Sequence, residues 1–316
     1  NASWSKVSAS VTADAVAAPD GTTTADLLIA AAASSQHRLD QTTTIAAAAH
    51  SYSVYLKAGG YNYASIRIGT LSVGIDLTNG ATNTLTGTSA SVTALANGWY
   101  RLALTATASL NDTIRINVEN AATVGSSFTG DGVGGIYIWG AQLEAAAFPS
   151  SYIPTTSASV TRAADVCSIA VSGLAYPLTM FAEFEPNVIS GAEQGILCAD
   201  KSGGATDVAY MYEATSGAGT GFIYASGATQ MTAAGAAFSA GSSYKLAMRV
   251  AANDGRYCQG GTLATLDSTV TLPNAPDRII LGQRYNLGGF QAFGYIRRAA
   301  IWPTAFSDAN LQSVTN

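Results

Sequence analysis

Two acidic residues, Glu183 and Glu185, have the spacing that is most suggestive of catalysis in this sequence. They are two positions apart in a segment that reads as a strand, so both carboxylates would lie on one face, as in paired acid–base chemistry. Glycosidases on sandwich folds normally carry a third carboxylate on that strand, whereas Pro186 follows Glu185 at once and ends it. We therefore expect no enzymatic activity, with a polysaccharide-degrading hydrolase or lyase as the alternative.

Other residues that could do chemistry give little support to further enzyme classes. The two histidines, His37 and His50, lie near no Ser or Cys nucleophile motif, which argues against a hydrolase triad. Glycine pairs occur throughout, but none opens a helix as a phosphate loop would. Cys167, Cys198 and Cys258 have neither a zinc spacing nor the number of a disulfide framework. We expect three buried thiols, and a disulfide between any two is the alternative.

Polar loops in the second half are the only candidates for a cofactor. Asp200-Lys201-Ser202, Asp207 and Arg284-Tyr285-Asn286 fall in predicted loops, where carboxylate and carbonyl oxygens can gather around calcium. The sequence has no dense Asp-x-Asp-x-Asp string. We therefore expect no cofactor and no metal, and calcium is the alternative.

Strand positions that leave the core in the first half have the chemistry of sugar binding. Apolar residues alternate there with polar or aromatic ones, so one set builds the core and the other points away from it. Aromatic rings pack on the C–H faces of a pyranose, and Arg and Asn donate to its hydroxyls. Trp99 and Arg101 share one strand face and are further candidates. The alternative is an ordinary solvated face, or, for Trp139, packing under the chain that follows it. The predicted ligand-binding residues are Tyr55, Lys57, Arg67, Arg115, Asn117, Tyr137 and Trp139.

Composition limits the partners. The chain of 316 residues is 11% charged and 48% hydrophobic and has 15 tyrosines, which indicates a folded protein with a surface of hydroxyls and amides. A net charge of -5 argues against nucleic acid. The basic residues are mostly Arg, whose forked donors suit carboxylates, so an acidic polysaccharide is an open alternative to a neutral one. The longest apolar run, residues 27–33, is too short for membrane insertion. The chain opens at Asn1 without a signal segment, so we expect a mature, non-classically exported or trimmed protein.

The elements that position these residues are predicted to be strands. Short alternating runs separated by Gly, Asn and Asp predict an all-β fold of two antiparallel β-sandwich (jelly-roll) domains in tandem. The domains are predicted at 1–155 and 166–316, with a Pro/Thr-rich linker at 156–165, and Ser307 is a predicted N-cap for a helical turn within Phe306–Val314. The predicted strands are Ser51–Lys57, Ser65–Ile68, Leu71–Asp76, Trp99–Thr105, Thr113–Glu119, Gly135–Leu143, Leu178–Glu185, Gly195–Ala199, Ala209–Glu213, Gly221–Ala225, Tyr244–Val250, Arg278–Gly282 and Gly294–Trp302.

Several segments carry a family resemblance. "YSVYLKAG" at 52–59, "NGWYR" at 97–101, "GIYIWGAQLE" at 135–144 and "SYIPT" at 151–155 resemble the jelly-roll modules of phage tail and head-fibre proteins, which are similar to carbohydrate-binding modules. "YIRRAAIW" at 295–302 resembles the last strand of concanavalin A-like, laminin-G-type lectin domains. The first resemblance covers residues 1 to about 165, and the second is the weaker one.

The resemblance implies a host-attachment function. It implies a carbohydrate-binding, lectin-like protein of a tail fibre or head spike, on a virion or a phage-derived particle such as a gene transfer agent. The implied partners are bacterial surface polysaccharide, such as capsular polysaccharide, and other particle proteins, and a homo-oligomer is an open alternative to a monomer. The implied location is the particle surface, extracellular after release. The structural alternative is a decorative or spacer protein of the particle that binds no ligand.

Overall fold

The computed structural model of the protein describes residues 4–155, 158–161, 165–189, 191–201, 206–285 and 290–316. The chain divides into two compact units, residues 1–161 and 162–316, and the division falls within the segment 156–165. Each unit is a sandwich of antiparallel sheets, which confirms the predicted all-β class with two β-sandwiches.

Two six-stranded sheets build the first unit. Sheet I has the strand order β1-β5-β12-β7-β8-β9 and sheet II the order β10-β11-β6-β14-β3-β2, while β13 and β4 form a separate ribbon. A single turn of 3-10 helix, Ala96–Gly98, precedes β11. The strands are β1 Ser5–Val7, β2 Ala9–Val16, β3 Ala25–Ala30, β4 Ser34–Ser35, β5 His37–Thr42, β6 Ala49–Gly59, β7 Tyr63–Ile68, β8 Leu71–Asp76, β9 Thr82–Asn83, β10 Ser89–Ala94, β11 Tyr100–Thr107, β12 Thr113–Glu119, β13 Phe128–Thr129 and β14 Gly135–Glu144.

Strand alternation places the core of this unit between its two sheets. Along β12, Ile114 and Ile116 are buried and face apolar side chains of sheet II such as Leu56 and Ile136. Burying an aliphatic side chain of this size contributes about 1.5–3 kcal/mol, so this alternation fixes which face of each strand turns inward. The remaining side chains lie on two outer faces that point away from each other.

The second unit is also a two-sheet sandwich. Sheet III has the order β15-β24-β17-β18-β19-β20 and sheet IV the order β23-β22-β21-β16-β25. Helix α1 (Asp308–Thr315) begins after Ser307, whose side chain accepts a hydrogen bond from the Asn310 backbone, and buries Leu311. The strands are β15 Cys167–Ala170, β16 Leu178–Pro186, β17 Gln194–Asp200, β18 Val208–Glu213, β19 Ala218–Ala225, β20 Ala228–Ala237, β21 Tyr244–Val250, β22 Arg256–Gln259, β23 Thr262–Leu263, β24 Arg278–Leu281 and β25 Gly294–Trp302.

The predicted helical turn and every predicted strand occur in the structure. Four of these strands begin and end at the predicted residues. The prediction of three buried thiols is wrong for one of them: all three cysteines are free and Cys198 and Cys258 are buried, but Cys167 is exposed on β15. Within the described part of the chain, no helix combines the length and the apolar character required to cross a membrane.

Candidate functional site

The seven predicted ligand-binding residues lie on two different sheets. Tyr55, Lys57, Tyr137 and Trp139 belong to β6 and β14 of sheet II. The other three, Arg67, Arg115 and Asn117, belong to β7 and β12 of sheet I. Because the core separates the outer faces of these sheets, the seven residues do not surround one ligand. They define two candidate surfaces.

The surface on sheet II is largely covered by the protein itself. We call Tyr55, Trp99, Tyr137, Trp139 and Tyr152 the aromatic cluster. The ring of Trp139 lies 5.2 Å from that of Tyr55 and 4.5 Å from that of Tyr152, centroid to centroid. Trp99 and Tyr55 are buried, with 2% and 9% of their surface exposed. The expectation that these two side chains would be open to a ligand is therefore wrong.

Hydrogen bonds hold the segment that follows β14 against this cluster. The backbone N–H of Ile153 donates to Gln142 Oε1 over 2.7 Å, and the backbone N–H of Ser150 donates to Glu144 Oε2 over 3.1 Å. Tyr152 is thereby positioned against Trp139. The aromatic cluster is thus a small second core, and Trp139 packs under the chain that follows it. Lys57, opposite Tyr137 on the neighbouring strand, is half-buried at its side.

The surface on sheet I is different, because it carries three guanidinium groups. We call Arg38, Arg67 and Arg115 the arginine face. Arg115 and Arg67 are directly opposite each other on β12 and β7, and Arg38 lies two residues from Asp40 on β5. Neighbouring strands are about 4.8 Å apart, so the three side chains occupy one small patch. One cross-strand row runs Asp40–Arg115–Arg67–Ser72, and the next runs Arg38–Asn117–Ser65–Gly74.

The three arginines of this face differ in their hydrogen-bond and ion-pair partners. Arg38 Nε donates to both carboxylate oxygens of Asp40, over 2.9 and 3.1 Å. Arg115 donates from Nη1 to the Gly69 carbonyl over 3.1 Å, and its Nε is 3.4 Å from Asp40 Oδ1. Arg67 has neither a hydrogen bond nor an ion pair with any described residue, and its Nε is enclosed. Burial, followed by the charge of Arg115, lowers the pKa of Arg67.

A buried network beneath the face fixes its shape. The Glu119 carboxylate accepts from Ser65 Oγ over 2.7 Å, from Asn117 Nδ2 over 3.3 Å and from the Gly125 backbone over 2.7 Å. Burial raises the pKa of Glu119, although these hydrogen bonds oppose it. Asn117 is 1% exposed, so it supports the face and does not offer its amide to a ligand, in contrast to its predicted role.

The network also anchors the loop after β12 at the edge of the face. Gln36 donates to the Gly125 carbonyl from the other side. Gly125 has a φ of 71°, and a Cβ added there would be 3.0 Å from Arg67 Nη1, so a larger residue would crowd this guanidinium. At one end of the strands, Arg115 also lines an open cleft of about 500 Å³ with Gly69, Thr70 and Asp112. The arginine face is therefore bordered by a loop and a cleft.

The predicted carboxylate pair has a structural role. Glu183 and Glu185 are on one face of β16, as expected, and each is paired with an arginine of β25. Arg298 Nε donates to Glu183 over 2.6 Å, and Arg297 Nε donates to Glu185 over 3.0 Å. The hydrogen bond from Arg298 lowers the pKa of Glu183, whereas a general acid requires a raised one. These are cross-strand ion pairs at a sheet edge.

The polar loops of the second unit are also paired internally. Asp200 is the last residue of β17, not a loop residue as predicted, and it is bound by Arg278 on β24. Asp207 accepts from the Asn274 backbone over 2.9 Å, and Lys201 pairs with Asp277. Ser202 and Asn286 lie outside the described residues. Among the residues that are described, no three His, Cys, Asp or Glu side chains come together as a metal site would require.

Sequence reasoning missed an aromatic surface on sheet III. Tyr210 and Phe222 are 5.0 Å apart, and Phe222 and Tyr224 are stacked at 10°. Arg284 lies over the Tyr285 ring at 5.0 Å and pairs with Glu193. The alternation of "AYMYE" at 209–213 and "GFIYA" at 221–225 could have revealed it. Tyr210 and Tyr212 are nevertheless buried, so most of this surface is packed.

The sequence matches no protein-family model and no curated protein. In structure, the chain is similar to the CBM40 of the Ruminococcus gnavus IT-sialidase, with 16% identity and a TM-score of 0.38 over 44% of this chain and 82% of that one. It is also similar to the SAP-like pentraxin of Limulus polyphemus, with 14% identity and a TM-score of 0.37 over 48% and 81% of the two chains. Chicken galectin 2 is similar as well, with 10% identity and a TM-score of 0.30 over 43% and 97%.

Proposed function

We propose that this protein binds glycan chains through the arginine face of its first unit. The observation that carries the proposal is Arg67, a half-buried guanidinium that makes no hydrogen bond or ion pair with a described residue and whose Nε is enclosed. Buried polar groups in proteins are nearly always paired, and a cation that is not paired costs stability. A ligand oxygen that accepts from Arg67 would supply the missing partner. Arg38 and Arg115 beside it add forked donors that suit the oxygens of a sugar.

The setting that we propose is attachment to bacterial surface polysaccharide. The segments at 52–59 and 135–144 resemble those of phage fibre modules, which supports a place on a tail fibre or head spike of a phage or phage-derived particle. On this proposal the first unit is a carbohydrate-binding module and the second a concanavalin A-like lectin domain. We propose no catalytic step, because Glu183 and Glu185 are both neutralised by arginines.

Binding to cells and to a glycan array tests this function. The wild-type protein should bind encapsulated cells of its host and lose binding when the capsule is removed. Arg67→Gln and Arg115→Gln should each weaken binding about tenfold or more, since arginine anchors cost on the order of 1–2 kcal/mol or more when truncated.

Arg101→Gln is the matched control. Arg101 was a further candidate by sequence, but it lies on the opposite sheet of the same unit, over the Tyr55 ring of the aromatic cluster and with its guanidinium 2.9 Å from Ser53 Oγ. It should bind like the wild type. Equal loss in all three variants would place the site elsewhere. No binding of the folded wild-type protein to any cell or glycan would instead favour the spacer protein, and release of oligosaccharide would favour the enzyme.

A further inference from the structure

We infer that the arginine face selects sugars that carry a carboxylate, so that the ligand is an acidic glycan of the uronic acid type. This inference rests on the proposed function and narrows it to a ligand class. The starting point is the charge on the face: three guanidinium groups stand against the carboxylate of Asp40 at its surface and that of Glu119 beneath it, while the carboxylate of Asp112 lies in the adjoining cleft beside Arg115.

Neither carboxylate contacts Arg67 directly, although the charges of Glu119 and Asp40 both act on it from a distance. Asp40 is engaged on both oxygens by Arg38 and is approached by Arg115. Glu119 is directed toward Ser65, Asn117 and the loop, none of which is charged. One positive charge is therefore left without a direct counter-charge, at the centre of the cross-strand row between Arg115 and Ser72.

A neutral sugar would not correct this imbalance. Its hydroxyls accept hydrogen bonds, but they bring no charge to a guanidinium that is already partly removed from water. A carboxylate brings both a negative charge and hydrogen-bond acceptors. Its two oxygens match the planar fork of arginine in a bidentate pair. Arg67 and Arg115, adjacent on neighbouring strands, present two such forks side by side. Sulfate and phosphate esters share the negative charge and can also accept paired hydrogen bonds from arginine, so a sulfated polymer is the control that separates them from carboxylates.

The site is built for this ligand before binding. The Glu119 network fixes the strand positions below and the Gly125 loop beside the Arg67 guanidinium. Because the strands and the loop around Arg67 are already ordered, little backbone rearrangement is needed when the ligand binds. Half-buried arginines also keep their interaction with a ligand at physiological salt better than fully exposed ones.

The experiment compares acidic polysaccharides with their carboxyl-reduced forms. Binding of the full-length protein to polygalacturonate, alginate and hyaluronate is measured by calorimetry, along with each polymer after reduction of its carboxylates to alcohols. A dextran sulfate and a neutral dextran complete the panel. At least one acidic polymer should bind, and its reduced form should bind at least tenfold more weakly. Arg67→Lys, which keeps the charge but not the fork, should bind the acidic polymer more weakly than the wild type does, whereas Arg101→Gln should bind it as the wild type does.

The outcomes separate this inference from the proposed function. Equal binding of a polymer and its reduced form, or binding of neutral glycans alone, would overturn the carboxylate preference and leave glycan binding intact. Stronger binding of dextran sulfate than of every carboxylated polymer, with Arg67→Lys unaffected, would show that charge alone is recognised and would also overturn it. Failure of all polymers and of encapsulated cells to bind would remove the proposed function itself.

Discussion

At the scale of single residues, Arg67 has a cost in the free protein. Its guanidinium is half-buried, lies opposite Arg115 and has no described partner. Residues maintained for binding are often poor for stability, because selection on function tolerates a local penalty. Replacing a residue that is maintained for binding at a cost in stability should weaken ligand binding and leave the free energy of unfolding unchanged or higher.

We predict that Arg67→Met weakens glycan binding and leaves the free energy of unfolding equal or higher. Methionine replaces the aliphatic part of the side chain and removes the unpaired charge, and such replacements are often neutral or stabilising. Urea denaturation and glycan binding measured on one preparation check this. A loss of more than about 1 kcal/mol of stability would show that Arg67 has a structural partner.

Glu213 is a second residue with an energetic consequence. It is fully buried on β18, and burial raises its pKa from 4.5 to about 7, although the Gln194 amide opposes the shift. Between these two values the unfolded chain has lost this proton while the folded protein retains it. The contribution of Glu213 to the free energy of unfolding should therefore fall as the pH rises from about 4.5 to about 7, by at most about 3 kcal/mol.

Glu213→Gln should remove most of this slope and be more stable than the wild type at pH 8. Denaturation at pH 5, 6, 7 and 8 measures it. A wild-type curve that rises with pH over this interval, or one that the substitution does not change, would contradict a protonated Glu213.

At the scale of elements, the segment 148–153 extends the packing of sheet II. Its backbone is hydrogen-bonded to Gln142 and Glu144, and Tyr152 packs on Trp139.

We predict that Trp139→Ala destabilises the first unit by about 2–3 kcal/mol, somewhat less than for a fully buried aromatic residue. Val133→Ala, at a position that is 75% exposed in the same unit, should change stability by less than about 0.5 kcal/mol. Tryptophan fluorescence during urea denaturation compares them, and equal stability of the two variants would mean that the aromatic cluster is open.

Sequence patterns predicted some elements well for a physical reason. In Thr113–Glu119, Ile and Val alternate with polar residues, and the strand has the predicted limits. Ala228–Ala237 and Ala9–Val16 are strands too, but they consist mainly of small residues, whose polarity does not alternate clearly. These two strands were not predicted because their sequences lack the alternation of apolar and polar residues on which the prediction depends.

The candidate site was predictable only in part. Alternation correctly places Arg67 and Arg115 outside the core, but it does not say which sheet they join. β6 pairs with β11 and β14, whereas β7, the next strand in the chain, crosses to the other sheet and pairs with β12. Long-range pairing of this kind separates Trp139 from Arg115. It is not encoded in the local pattern.

At the scale of the whole molecule, the chain consists of two units with separate cores. We predict that limited trypsin digestion cuts first after Arg162, the only basic residue between Arg115 and Lys201. The segment before it is protected up to Ile153 by its packing on sheet II. Mass spectrometry should detect two stable fragments, each of which retains its β-type circular dichroism. First cuts inside a sheet would contradict this division.

The cross-strand row Asp40–Arg115–Arg67–Ser72 also sets a length scale for a polymer that lies along it. Four adjacent strands span three inter-strand spacings, or about 14 Å. One spacing is comparable to the advance of a polysaccharide per sugar ring, so successive rings would meet successive strands in register. Affinity for oligosaccharides should then rise steeply with length up to about three rings. Longer oligosaccharides add no new contacts, so their affinity should increase only in proportion to the number of positions at which three consecutive rings can bind.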